Sequence, residues 1–125
     1  MNTDTKKILL VDDSKTALLV EQMMLRDGNF DLIMAQDGVE AVEKANSEMP
    51  DLILMDYIMP NLDGIEACKQ IRANSATQGI PIILVTTRSE LENRQRGFQA
   101  GANDYVTKPI DSMELREKVR DILGQ

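Results

Sequence analysis

The sequence has 125 residues, of which 14 are basic and 21 acidic, for a formal net charge of −7, and it contains no histidine. Without histidine the chain cannot supply a Ser-His-Asp triad, a histidine-containing zinc site or a phosphohistidine of its own. The acidic balance and the scattered Lys and Arg residues disfavour direct binding to nucleic acid or to an anionic membrane.

Short apolar runs recur along the chain, with helical stretches between them. The first four runs lack polar alternation, which is typical of parallel strands that are covered on both faces. A weaker fifth run follows near the end of the sequence. The predicted strands are, in chain order, residues 8–11, 32–35, 52–55, 82–85 and 105–106.

Most predicted helices begin with an acidic or hydroxyl residue that is followed three positions later by Glu. The two side chains can accept hydrogen bonds from the backbone amides that are unpaired at a helix N-terminus. The first helix is expected to begin near Ser14 and end at Gly28, and Gly101 is expected to end the fourth. This alternation predicts one doubly wound (βα)5 domain over residues 1–125, with a core over about 6–123. The paired starts are Asp37 and Glu40, Asp63 and Glu66, Ser89 and Glu92, and Asp111 and Glu114.

Charged and hydroxyl side chains follow the predicted strands at the points where the strands end. Because the carboxyl ends of parallel strands lie on one edge of a sheet, these side chains are expected to converge there. They are Asp12 and Asp13 after the first strand, Asp56 after the third, Thr86 and Thr87 after the fourth, and Lys108 and Pro109 after the fifth.

Three carboxylates in one crevice repel one another and therefore favour a bound cation. All-oxygen ligands with room for water favour Mg²⁺ over a many-ligand Ca²⁺ cage. A Mg²⁺ ion beside the ammonium of Lys108 and the hydroxyl of Thr86 suits a phosphoryl group, which a carboxylate can accept as an acyl phosphate. The residues therefore predict phosphoryl chemistry at this edge.

Four sequence elements carry a family resemblance. Asp12-Asp13, the string Asp56-Tyr-Ile-Met-Pro-Asn-Leu-Asp-Gly64, Thr86 and Lys108-Pro109 occur in this order. Together they resemble the receiver domain of two-component response regulators, in particular the single-domain chemotaxis type, over residues 6 to 123. The resemblance implies a flavodoxin-like sheet of strand order 2-1-3-4-5 and a phosphorylation switch rather than a turnover enzyme.

The resemblance also implies roles for the acidic residues and the lysine. Asp56 is the expected phosphoacceptor. Asp13, Asp56 and the main-chain carbonyl of Ile58 are expected to ligate Mg²⁺, with Asp12 acting on the metal mainly through water. Lys108 is expected to pair with a phosphoryl oxygen.

Further residues are implied to respond to the phosphoryl group. Thr86 is expected to hydrogen-bond to it, and Tyr105 is expected to turn inward as Thr86 moves. Backbone amides of Ile58 and Thr87 complete the expected anion cradle. The peptide bond that joins the site lysine to Pro109 is expected to be cis, as it is in the family.

The expected phosphoryl donor is a phosphohistidine on a sensor histidine kinase or a histidine phosphotransfer protein, docked near the first helix. The face formed by the fourth helix, fifth strand and fifth helix is expected to meet an output domain or a target protein, and a phosphorylation-dependent dimer is left open. The sequence has no apolar leader and no strictly apolar run longer than four residues, so we expect a cytoplasmic location without a membrane span.

Two other functions fit parts of the pattern. A haloacid-dehalogenase-type phosphoaspartyl hydrolase also uses an Asp after a strand, but its general acid lies two residues later, where this chain has Ile58. A receiver that only docks, without phosphorylation, is disfavoured by the intact set of site residues. Because Ile58 cannot orient an attacking water and Arg88 can shield a phosphoryl group, we expect a comparatively long-lived acyl phosphate.

Overall fold

The computed structural model describes residues 5–59, 61–87 and 94–124. In these ranges five β-strands alternate with five α-helices, as the apolar runs predict. In chain order they are β1 (Lys6–Val11), α1 (Lys15–Leu25), β2 (Phe30–Ala35), α2 (Gly38–Glu48), β3 (Leu52–Asp56), α3 (Gly64–Ala73), β4 (Ile82–Thr86), α4 (Arg94–Ala100), β5 (Asp104–Thr107) and α5 (Ser112–Leu123).

The five strands form one sheet of order β2-β1-β3-β4-β5, and the pairings are parallel, so the predicted doubly wound fold is confirmed. Successive residues of a strand face opposite layers. Leu9 and Val11 of β1 pack in the cluster that contains residues of α2 and α3, whereas Ile8 and Leu10 pack in the cluster that contains residues of α1 and α5. Covering both faces explains why these strands lack polar alternation.

The predicted helix starts are observed wherever the structure describes them. Ser14 and Asp37 cap α1 and α2, and Asp63 and Asp111 cap α3 and α5 in the same way. The expected start at residues 89 to 92 lies outside the described ranges. None of the helices in the described part of the chain has the length and apolar character needed to cross a membrane.

Three local features describe how the helices begin and end. The α1 helix ends at Leu25 rather than at Gly28, whose amide donates to the Leu25 carbonyl at 3.2 Å in the turn that follows. At the start of α2, the Glu40 carboxylate accepts a hydrogen bond from the amide of Gln36, one residue before the cap, at 2.7 Å. Gly101 follows the last residue of α4 with a φ of 112°, as expected for a residue that ends a helix.

Arg72, near the end of α3, fastens the amino-terminal side of β4 and β5. Its guanidinium donates to the carbonyl oxygens of Gly101, Gln78 and Ile80 at 2.9, 3.0 and 2.6 Å. A fourth bond, of 2.9 Å, reaches Oδ1 of Asn103. The loops at this end of the sheet are therefore tied together by one side chain, away from the carboxyl edge.

Gly64 brings the N-terminus of α3 against the carboxyl end of β3. Its amide donates to the Tyr57 carbonyl at 2.8 Å. A Cβ atom at this position would lie 2.5 Å from the Asp56 carbonyl oxygen and 3.1 Å from the Tyr57 Cα. Because both neighbours are backbone, neither can move aside without displacing the end of β3.

We expect Gly64→Ala to lower the free energy of unfolding by about 2 kcal/mol, because the methyl group must push two backbone segments apart. Urea unfolding followed by far-UV circular dichroism measures this change. The matched control is Gly79→Ala, since a Cβ atom at Gly79 meets no atom within 4 Å. Equal effects of the two substitutions would contradict the role given to Gly64.

Candidate functional site

The carboxyl edge of the sheet brings together the acidic residues that the sequence singles out. Asp12 directly follows β1, and Asp56 is the last residue of β3. The two strands are neighbours, with Val11 opposite Met55. The parallel register therefore places the carboxylates of Asp12 and Asp56 side by side, although they are far apart along the chain.

Asp12, Asp13 and Asp56 form a carboxylate cluster. One oxygen from each residue lies within 4.8 Å of the others, a spacing that lets a single ion contact all three. Asp12 and Asp56 are buried, with 1% and 8% of their surface exposed, whereas Asp13 is exposed. Buried carboxylates beside an exposed one give an all-oxygen site with an opening to solvent, which fits a hard, partly hydrated cation such as Mg²⁺.

Lys108 supplies the positive charge of the edge. Its Nζ donates to Oδ2 of Asp12 at 3.2 Å and to Oδ2 of Asp56 at 3.3 Å. Its amide donates to the Thr86 carbonyl at 2.6 Å, and its bond to Pro109 is cis. One ammonium therefore bridges the two buried carboxylates, which would otherwise repel each other.

The second carboxylate oxygen of Asp12 accepts a hydrogen bond from the backbone at the start of α1. Oδ1 of Asp12 accepts a hydrogen bond from the amide of Ser14 at 2.9 Å. The Ser14 hydroxyl in turn accepts from the amide of Ala17 at 3.2 Å and caps α1. The start of α1 thus holds one oxygen of Asp12 and leaves the other to Lys108.

The electrostatic environment shifts the proton affinity of the central residues. Burial, and after it the nearby charge of Asp12, raise the pKa of Asp56 to about 6, although Lys108 opposes both effects. Burial alone lowers the pKa of Lys108, but Asp56 and Asp12 outweigh this and keep it above its usual value. At neutral pH, Asp56 is therefore mostly ionised, with its negative charge offset by Lys108.

Thr86, Thr87 and Ile58 lie around the same strand ends. Thr86 is the last residue of β4, is buried, and donates its hydroxyl to the Thr87 carbonyl at 3.2 Å. Ile58, two residues after Asp56, has 61% of its surface exposed. Arg88, which the sequence also singles out, lies outside the described residues.

Tyr105 belongs to β5, the last strand of the sheet. It pairs in register with Leu84, two residues before the end of β4. Its ring packs edge-on against Phe98 of α4, with centroids 6.1 Å apart and an interplanar angle of 75°. The Nζ of Lys118 in α5 lies 5.1 Å from the Tyr105 ring centroid. This tyrosine therefore joins α4, β5 and α5 at the surface.

Sequence reasoning missed one acidic residue near the site, Glu21 of α1. It is buried, with only 2% of its surface exposed. The sequence carries a weak signal for it, because Glu21 occupies the helical row of Leu18 and Leu25 on the buried side of α1. Because apolar residues occur on almost every side of this helix, the sequence does not clearly distinguish its buried row from its exposed ones.

Comparison with known proteins places the chain among signalling proteins. Residues 8–120 match the family model described as the response regulator receiver domain. The chain is 42% identical to the alkaline phosphatase synthesis transcriptional regulatory protein PhoP of Bacillus subtilis, over 94% of this chain and 48% of PhoP. It is 37% identical to protein PilH of Pseudomonas aeruginosa, over 94% of this chain and 98% of PilH. It therefore spans about half of the first relative and almost all of the second.

A solved structure with the same fold contains a metal ion. The receiver domain of the sensor histidine kinase PA1611 from Pseudomonas aeruginosa PAO1 was crystallised with a magnesium ion coordinated in its active site cleft. It aligns with a TM-score of 0.88 and 36% sequence identity, over 97% of this chain and 99% of that chain. The likeness therefore extends over nearly the full length of both.

The raised pKa of Asp56 predicts a pH-dependent stability in the absence of metal. Because folded Asp56 binds its proton more tightly than unfolded Asp56, ionising it costs more in the folded state. The wild-type protein is therefore expected to lose about 1–3 kcal/mol of unfolding free energy, relative to Asp56→Asn, as the pH rises from about 4 to 6. Urea unfolding in chelator-treated buffer at several pH values measures the difference. A wild-type unfolding free energy that stays constant or rises relative to that of Asp56→Asn over this pH range would contradict the raised pKa.

Proposed function

Because this chain belongs to the response regulator receiver domain family, we propose that Asp56 accepts a phosphoryl group from a partner's phosphohistidine in the presence of Mg²⁺. The family acts as a phosphoryl-accepting switch rather than as a turnover enzyme. The observation that carries the proposal is the convergence of three carboxylates and one ammonium on a single sheet edge. We treat residues 1–125 as one receiver domain.

The proposed cation site consists of Asp12, Asp13 and Asp56, together with the main-chain carbonyl of Ile58. The cluster fits this role because its three oxygens lie close together and include no nitrogen or sulfur ligand. When bound, Mg²⁺ supplies charge neutralisation for the carboxylates and for an incoming phosphoryl group. Asp12 contributes mainly through water.

Asp56 is the proposed nucleophile. A carboxylate oxygen attacks the phosphorus, a new O–P bond forms, and the P–N bond to the donor imidazole breaks with its electron pair passing to that imidazole. The pKa of Asp56, raised to about 6 by burial, leaves the carboxylate mostly ionised at neutral pH. Lys108, 3.3 Å from Oδ2 of Asp56, is close enough to pair with a transferred phosphoryl oxygen.

The proposed response proceeds through β4 towards the surface of α4, β5 and α5. The Thr86 hydroxyl binds the phosphoryl group, and the amides of Ile58 and Thr87 complete the anion cradle. Tyr105 turns inward as Thr86 moves. The packing of Tyr105 against Phe98 of α4 supports this, because a shift of the tyrosine necessarily changes its contact with α4.

We propose a sensor histidine kinase or a histidine phosphotransfer protein as the donor, and an output domain or target protein on the α4–β5–α5 face. Leu19 and Met23 of α1 expose 58% and 57% of their surfaces, which supports donor docking near this helix. The cytoplasmic location and a phosphorylation-dependent dimer stay predictions. A long-lived acyl phosphate also stays a prediction. It is supported by Ile58, which is exposed near Asp56 and has no polar group to orient an attacking water.

We expect Mg²⁺ and acetyl phosphate together to add one phosphoryl group to the protein, and intact mass spectrometry measures this adduct. Asp56→Asn removes the nucleophile and is expected to abolish the adduct. Asp121→Asn, which removes an exposed carboxylate from α5, is the matched control and is expected to behave as the wild type. Absence of a Mg²⁺-dependent adduct on the wild type would favour a docking role, and continuous hydrolysis of a chromogenic phosphate ester would favour a hydrolase.

Lys108→Ala is expected to slow phosphorylation by at least about tenfold, because it removes a charge that stabilises the transferring phosphoryl group. It is also expected to uncouple the switch. Hydrogen exchange of the α4–β5–α5 segment should change when the wild type is phosphorylated and stay unchanged in the variant. Lys69→Ala, on the exposed side of α3, is the control. A normal exchange response in Lys108→Ala would refute the coupling role.

A further inference from the structure

Glu21 is a carboxyl group in a row of α1 that is otherwise apolar. Leu18, Glu21 and Leu25 are the buried residues of this helix. Among the buried side-chain nitrogen and oxygen atoms of the described residues, only Oε1 of Glu21 lacks a hydrogen-bond partner. Since burying an unsatisfied polar atom is unfavourable, an apolar side chain would suit this position better unless the carboxyl group has a partner in another state.

A shallow groove between α1 and the β5–α5 connection contains both Glu21 and Lys108. Lys108 is the cationic residue of this groove, and in the present arrangement its ammonium is bound to Asp12 and Asp56. No ion pair of Glu21 occurs among the residues described. The lining residues are Ala17, Val20, Glu21, Met24, Lys108, Pro109 and Ile110.

The charges around Glu21 explain why it does not hold the ammonium in this arrangement. Burial, and after it the nearby charge of Asp12, raise the pKa of Glu21 to about 8. Lys108 acts in the opposite direction and Asp56 adds to the increase. Glu21 is therefore mainly uncharged at neutral pH while Asp12 and Asp56 hold Lys108, and it becomes a better partner as soon as those two charges are neutralised.

We propose that Glu21 is a positioning residue that binds the ammonium of Lys108 when Asp12 and Asp56 are occupied by a cation. A divalent ion at these carboxylates would repel the ammonium and compete with it for Oδ2 of Asp56 and, through water, for Asp12. Lys108 then needs another anionic partner, and Glu21 lies in the same groove. By stabilising the displaced lysine, Glu21 favours cation binding and keeps the ammonium near Asp56.

This inference rests on the proposed cation site but does not require phosphoryl transfer. Its test is therefore the affinity of the full chain for Mg²⁺ alone, measured by isothermal titration calorimetry. Glu21→Gln is expected to weaken Mg²⁺ binding by about 5–20-fold, within the usual range for coupled sites. Glu117→Gln makes the same chemical substitution at an exposed position of α5 and is expected to leave the affinity unchanged.

Unfolding in metal-free buffer separates this role from a structural one. Glu21→Gln is expected to be at least as stable as the wild type, because it removes a buried ionisable group whose Oε1 has no hydrogen-bond partner among the described residues. Glu21→Met, which fills a similar volume without polar atoms, should be at least as stable and bind Mg²⁺ equally weakly. A residue needed only for packing would lower stability when replaced, so weak Mg²⁺ binding accompanied by lower stability in both variants would overturn the inference.

The decisive comparison is a double-mutant cycle with Lys108→Met. If Glu21 acts through the lysine, Glu21→Gln has no further effect on Mg²⁺ affinity once the ammonium is absent. An equal weakening with and without Lys108 would overturn the inference and leave the cation site intact. Absence of Mg²⁺ binding by the wild type would overturn the cation site as well, so the two failures are distinguishable.

Discussion

The ammonium of Lys108 holds the functional edge together by contacting two buried carboxylates at once. Its partners, Asp12 and Asp56, are 96 and 52 residues distant in sequence, so this contact joins the ends of β1 and β3 to the connection after β5. Without the ammonium, two buried negative charges would lie side by side in surroundings that screen them poorly. Burial and Asp12 raise the pKa of Asp56 to about 6 despite Lys108, so the ionised carboxylate still gains from additional positive charge, which fits a cation at this edge.

The parallel sheet makes this concentration of charge tolerable. Both faces of the sheet are filled by apolar side chains, so the polar ends of the strands are the natural place for charged groups. The N-terminus of α1 stabilises Asp12 through the amide of Ser14, and close packing at Gly64 fixes the end of β3 beside Asp56. At the opposite edge, Arg72 ties the loops together. The site is therefore supported by helices and strands on both sides of the sheet edge.

Much of this arrangement could be predicted from the chain alone. The apolar runs predicted the strands, and the residues directly after them predicted which side chains would meet, because a parallel sheet places those ends on one edge. Glu21 could not be identified in this way. The stretch from Ala17 to Leu25 is mostly apolar, so its sequence indicates only weakly which side faces the sheet, and a single Glu within it resembles an ordinary surface residue.

The sequence by itself determined the order of elements, the strand ends and the chemical types of residue at the functional edge, since these depend on local periodicity and helix caps. Only the tertiary structure decided the distances between these side chains and their pKa values. Lys108 lies between Asp12 and Asp56 because of strand register, and Arg72 finds four acceptors because two loops close around it. Burial and proximity to other charges set the pKa values of Asp56 and Glu21, and both depend on segments that are distant in sequence.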